Sequence, residues 1–159
     1  MPLADVNSAY TDLVETVFSS TIAAKAWLAT GAVVLAIAQV LTASRMWGRL
    51  RRVVPLRFET AKRVHRWSGR VAVLLTLPVF FHCVTILGFR TPDLRVTVHA
   101  IAGSFVYGVL AAKLLVIRRK SRNFPPWTLP ILGGSLAAVL ATLWLTSALW
   151  YFTNVRFGF

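Results

Sequence analysis

VAVLLTLPVFFHCVTILGFRTPDLRVTVHAIAGSFVYGVLAA, residues 71–112, decides the architecture. Val71 to Phe89 is 19 residues without Lys, Arg, Asp or Glu, and Val96 to Ala112 is another 17, resuming past Lys113 to Ile117. A short turn around Pro92, carrying Arg90, Asp93 and Arg95, separates them. At 1.5 Å per residue, about 20 residues cross a hydrocarbon layer of roughly 30 Å, so each run is long enough to span it. Period-2 alternation is absent, which argues against a β-barrel.

The same pattern holds on both sides. Ala26 to Ser44 is uncharged, as is Asn123 to Val155 with its apolar heart at Trp127 to Phe152. The whole chain is 159 residues, 57% hydrophobic and 14% charged, with mean hydropathy +0.65. A soluble domain carries nearer a quarter charged residues. We expect an all-α membrane protein, a four-transmembrane-helix up-and-down bundle forming one domain over 1–159. Its spans are expected at about 24–45, 67–90, 95–117 and 127–152.

The net charge of +13 suggests nucleic acid at first sight, but the basic residues sit in blocks between apolar runs. Arg45 to Arg70 holds nine Lys and Arg against the single acid Glu59, and Arg118, Arg119, Lys120 and Arg122 follow the third span. The middle turn is nearly balanced, and the N-terminal segment carries Asp5, Asp12 and Glu15. Positive loops stay cytoplasmic, so both termini and the middle turn are expected outside. The basic loops also suit anionic lipid headgroups, and no nucleic-acid partner is expected. The expected location is a multi-pass position in a bacterial plasma membrane.

Residues 1–22 read as an interfacial amphipathic segment. Leu3, Val6, Tyr10, Leu13, Val14, Val17 and Phe18 fall at helical spacing, with Asn7, Thr11, Asp12, Glu15 and Ser19 opposite. Acids, not a positive region, precede its apolar residues, so a signal peptide is not expected. The single cysteine, Cys83, allows no intrachain disulfide. No Ser/His/Asp constellation, intramembrane carboxylate or phosphate-cradling glycine loop is present, which leaves hydrolase and kinase chemistry unsupported.

Polar groups inside spans are costly and tend to serve function. His82 lies ten residues before Pro92 and His99 seven after, so an antiparallel hairpin brings them to similar depth. Two imidazoles at one level can hold the iron of a flat macrocycle as axial ligands. Gly103, one turn from His99 on the same face, leaves room for a porphyrin edge. The bland alternative is hydrogen bonding between helices without any cofactor. Cys83 is offset about 100° from His82, which makes it a poor co-ligand.

His65, also followed four residues later by a glycine, Gly69, shares a depth near the cytoplasmic surface with Lys113. Three readings stay open for this pair: a second haem, anchors for propionates or lipid phosphates, or an interfacial histidine with a snorkelling lysine.

His65-Arg66-Trp67-Ser68-Gly69-Arg70, Leu77-Pro78-Val79-Phe80-Phe81-His82-Cys83, and Val98-His99 with Gly103, Tyr107-Gly108 and Lys113 carry a resemblance. Leu129-Pro130, Gly133-Gly134 and Trp144-Leu145-Thr146-Ser147-Ala148-Leu149-Trp150 continue it. Over about residues 60–152 the chain resembles an uncharacterised bacterial four-helix membrane family placed near cytochrome b561-type haem proteins. The resemblance implies haem b and electron transfer, with His82 and His99 as iron ligands. Bundles of that type hold two haems on two histidine pairs, whereas three histidines make one pair, so a second haem stays open. Two functions are therefore carried forward. One is a haem-binding electron-transfer subunit, exchanging electrons with quinone and an extracytoplasmic redox protein. The other is a cofactor-free scaffold or assembly subunit.

Overall fold

The computed structural model describes residues 3–50, 52–88, 92–119 and 123–156. The expected end of the second span at 89–90, and the loop residues Arg51, Arg90, Lys120 and Arg122, lie outside the described residues. Five helices follow one another: α1 (Leu3–Glu15), α2 (Thr21–Met46), α3 (Phe58–Phe81), α4 (Leu94–Arg118) and α5 (Thr128–Trp144). α3 runs on into a π-helical segment, His82–Leu87, and α5 into two more, Leu145–Leu149 and Phe152–Arg156. Four of these stretches, Thr21–Met46, Phe58–Leu87, Leu94–Arg118 and Thr128–Arg156, are long and apolar enough to cross a membrane.

Local chemistry sets several of the ends. The Ser20 hydroxyl accepts the Ala23 N–H at 3.1 Å, and an Asp93 carboxylate oxygen accepts the Val96 N–H at 2.8 Å, each satisfying a donor that the first helical turn leaves free. Gly88, at φ +64°, ends the π-helical segment in a backbone conformation that costs glycine little. Pro78 supplies no N–H to the α3 ladder, and the helix widens into its π-helical turn one turn later.

α3 begins at Phe58, well before the expected span start at 67. No proline or glycine interrupts 58–66, so the helix continues through Lys62, Arg63 and Arg66, which all stay exposed. α1 also departs from expectation. Val6, Tyr10 and Val14 are half-buried, but so are Asn7 and Thr11 from the side expected to be polar, while Leu13 is 70% exposed. Asn7 donates to the Thr85 carbonyl, at 3.5 Å, in the π-helical segment that continues α3.

The core is built from small side chains. Ala23, Ala24, Ala26, Ala32, Ala36, Ala61, Ala72 and Ala148 are buried, and this lets backbones approach closely where hydrophobic driving force between helices is weak. α2 packs along α3, α4 along α5, and α2 also against α5. α3 and α4 are consecutive in the chain, yet their backbones scarcely approach each other. Their visible link is a side-chain bridge, in which the Tyr107 hydroxyl donates to Thr76 Oγ1 at 3.2 Å while the Tyr107 ring meets Phe80 edge-on at 4.7 Å.

Candidate functional site

The separation of α3 from α4 leaves a cavity of about 660 Å³ among α2, α3, α4 and the end of α5. Cofactor sites occupy about 300–1,000 Å³ and are mostly apolar with a few placed polar groups. This cavity fits that description. Its polar and cationic wall groups include His99, Lys25, Arg95, Tyr107 and Thr146, among apolar neighbours such as Phe80, Val106 and Trp144. On α3 the lining positions Thr76, Val79, Phe80, Cys83, Val84 and Leu87 repeat at three- and four-residue spacing, so one face of the helix forms the wall.

His99 and Gly103 both lie on the wall. A Cβ added at Gly103 would meet only Leu143 Cδ2, at 3.9 Å, so the glycine leaves open space on the cavity side. The His99 tautomer follows from its partner. Thr146 Oγ1 donates its one proton to the carbonyls of Thr142 at 2.7 Å and Leu143 at 3.3 Å. It must therefore accept at its 3.0 Å contact with His99 Nδ1, which makes Nδ1 the protonated nitrogen and leaves Nε2 with its lone pair. Metal-ligating histidines are oriented in this way, with the second nitrogen donating to a fixed acceptor. Arg95 steadies the same turn, donating to the Thr146 carbonyl at 2.7 Å and lying 4.5 Å over the Trp150 ring.

His82 is placed differently. It is 1% exposed and is not part of the wall that holds His99; its neighbour Cys83 is. Sequence spacing drew attention away from Cys83, but the face of α3 turned to the cavity passes through residue 83. His82 lies to one side of that face, beneath α1, with its ring 6.1 Å from that of Tyr10. Neither His82 nitrogen has a hydrogen-bond partner. Tyr10 stacks on Phe81 at 5.0 Å and donates to the Pro78 carbonyl at 3.2 Å. Burial, and then the field of Cys83, push the Tyr10 phenol above its ordinary value, as expected for a half-buried α1 side chain packed on α3.

The other end of the bundle collects His65 and Lys113. The Gln39 amide donates to the His65 carbonyl and to Ser68 Oγ. Thr42 repeats the Thr146 arrangement, donating to Ala38 O at 2.6 Å and Gln39 O at 3.2 Å and accepting from His65 Nδ1 at 3.0 Å. Lys113 Nζ lies 3.8 Å from where a Cβ on Gly133 would stand. Gly69 does not leave free space here, because a Cβ would meet Gln39 Oε1 at 3.1 Å. The glycine makes room for a protein side chain.

The threonine acceptors were not visible in the sequence, since nothing in a string of residues pairs Thr42 with His65 or Thr146 with His99. Lys25 was also missed, although one lysine beside an otherwise uncharged run was a usable signal. Among the described residues, no group of three or more His, Cys, Asp or Glu comes together as a metal cluster. No curated protein and no solved structure matches the chain. A family profile matches residues 4–159, and the chain belongs to that family, DUF6529, a family of unknown function.

Proposed function

We propose that this chain is a b-type haem-binding integral membrane electron-transfer protein or subunit of a bacterial plasma membrane, its haem held by His82 and His99 towards the outer side. The observation that carries the reading is His82, a 1% exposed imidazole with two unpartnered nitrogens beside a cavity walled by a second imidazole. A buried polar group without a hydrogen bond costs on the order of 1–3 kcal/mol, and a bond from nitrogen to iron removes one of these vacancies. His99, with Nδ1 committed to Thr146, has Nε2 free to act as the other ligand. Cavity size, apolar lining and His99 on the wall are compatible with the group, with His82 adjacent in sequence to the wall residue Cys83, and the motif resemblance to b561-type proteins points the same way. That resemblance rests on the motifs alone.

When bound, haem supplies one-electron chemistry, and two imidazole ligands favour electron transfer over oxygen binding. The protein's own groups do the rest. Thr146 holds the His99 tautomer, the apolar wall excludes water, and Lys25 and Arg95 on that wall would supply positive charge towards haem carboxylates. Quinone and an extracytoplasmic redox protein are the proposed exchange partners. With three histidines the chain has no second imidazole to pair with His65, and Gln39 occupies the space beside Gly69, so one haem per chain is proposed.

The test is an optical spectrum of the detergent-purified protein with its haem-to-protein ratio. The expected result is a Soret band with reduced α and β bands at a ratio of one, lost in His82→Ala and His99→Ala and kept in His65→Ala. A colourless, folded wild type from haem-replete cells overturns the proposal and leaves the scaffold reading.

A further inference from the structure

Two of the stretches where a helix widens into a π-helical turn line the cavity, the continuation of α3 through Cys83, Val84 and Leu87 and that of α5 through Thr146 and Ser147. Such turns are frequent at functional sites, and they take backbone groups out of the regular ladder. On α5 the effect falls on Thr146. In an α-helix its carbonyl would accept the N–H of Trp150, four residues on. That N–H goes to the Ser147 carbonyl. The Thr146 carbonyl is taken from across the interface, by Arg95 Nη1 on α4 at 2.7 Å.

Arg95 is held in place at further points. Its guanidinium lies 4.5 Å over the ring of Trp150, one turn beyond Thr146, and planar guanidinium groups stack well on aromatic faces. Asp93, 3.9 Å from Arg95 Nη2, caps α4 through the Val96 N–H. Arg95 and His99 stand four residues apart on one face of α4 and grip the same residue. Arg95 takes the carbonyl of Thr146, and His99 Nδ1 meets its hydroxyl at 3.0 Å. The hydroxyl proton is spent on Thr142 and Leu143, so the position of Oγ1 follows the backbone that carries it. That backbone lies in the loosened stretch of α5.

We propose that Arg95 is a positioning residue for His99: by taking the Thr146 carbonyl it fixes the π-helical turn of α5, and with it the hydroxyl that holds Nδ1–H and leaves Nε2 bare. The path from Arg95 through Thr146 to His99 stands on the contacts themselves. Its consequence for ligation rests on the haem reading above. The role is distinct from that of the Arg95 charge, because it works through a hydrogen bond to a neutral carbonyl. Groups that orient a ligating histidine are typically worth about 10- to 100-fold in metal affinity.

The experiment has two arms. In haem-free protein labelled with ¹⁵N-histidine, the ring-nitrogen pairs are assigned from the single His→Ala variants and read at one pH. Wild-type His99 is expected to show the Nδ1-protonated tautomer alone. Arg95→Leu is expected to mix the two His99 tautomers, while an unchanged His65 pair, held by Thr42 at the other end, certifies the fold. Thr146→Val is expected to mix them as well. Adding Arg95→Leu to Thr146→Val is then expected to change nothing further, since the path through the hydroxyl is already gone. Arg95→Gln, which loses the charge and keeps a side-chain N–H, is expected to fall between wild type and Arg95→Leu. An unmixed His99 pair in Arg95→Leu overturns the proposal. So does a further change in the double variant, or an Arg95→Gln variant no better than Arg95→Leu. In the second arm, haem titration is expected to show affinity about 10- to 100-fold weaker in Arg95→Leu. Unchanged affinity beside mixed nitrogens overturns the consequence for ligation. A wild type that takes up no haem sinks the functional reading, and the nitrogen spectra still decide the positioning role.

Discussion

At the end where α3 turns towards α4, the helices stand apart around about 660 Å³ of space, and a buried imidazole is left without partners. At the opposite end the same helix is tied to α2 by Gln39, Thr42, Ser68 and the carbonyl of His65, and a Cβ on Gly69 would crowd the Gln39 amide at 3.1 Å. Both ends present a histidine with a glycine four residues on, and both use a threonine that spends its proton on its own helix and accepts from Nδ1. They differ in what surrounds the ring. Identical local spacing thus serves packing at one end and leaves an open chamber at the other, and the cavity separates the two roles.

Filling the chamber is the most direct way to break this comparison. Gly103→Phe puts a ring where a Cβ meets only Leu143 Cδ2 at 3.9 Å, and it is expected to abolish nearly all haem uptake while helical content stays at the wild-type level. Soret absorbance per protein and far-ultraviolet circular dichroism read the two quantities together. Full haem loading of this variant would show that the chamber is not the haem's place.

The two threonines sharpen the contrast. Thr146→Val removes the acceptor of His99 Nδ1–H and is expected to weaken haem binding about 10- to 100-fold. Thr42→Val removes the corresponding acceptor of His65 and is expected to leave haem affinity unchanged, while lowering resistance to unfolding by about 1–3 kcal/mol through an unsatisfied polar group. Haem titration and denaturant unfolding in detergent separate the outcomes, and equal haem loss in both variants would erase the distinction between the ends.

Gly31→Ala is the smallest change. Its Cβ would meet Leu75 Cδ1 at 3.1 Å, and that terminal methyl can yield a few tenths of an ångström. The helix-propensity gain of alanine, up to about 1 kcal/mol, opposes the crowding, so the net effect is expected within about 1 kcal/mol with haem content unchanged. A thermal melt and a spectrum check both parts.

Much of this arrangement was legible from composition and spacing. The presence of four helices long and apolar enough to cross a membrane was legible, because the length needed to cross a bilayer and the absence of charge are properties of the chain itself. The start of α3 was not, since charges mark where a helix leaves an apolar layer and say nothing about where it stops being helical. His99 and Gly103 on one wall follow from i, i+4 spacing. The position of His82 beneath α1, and of Cys83 on the wall instead, does not, because it depends on how α3 is rotated against α2 and on the π-helical turn after Pro78. The polar side of α1 was misjudged at Asn7 for a related reason. A polar side chain goes inward when a carbonyl such as that of Thr85 is waiting there, and a pattern of polarity records only the side chain.

By itself the sequence determined the number of long apolar helices, their approximate extents and the three histidines among them, since these depend on local hydropathy, rise per residue and residue identity. Tertiary structure alone decided which threonines His65 and His99 meet, that α3 and α4 part while α2 and α3 close, and that α1 folds over His82. Those outcomes depend on helix rotation and on side chains from distant segments competing for the same buried donors and acceptors, and neither is encoded in any one stretch of chain.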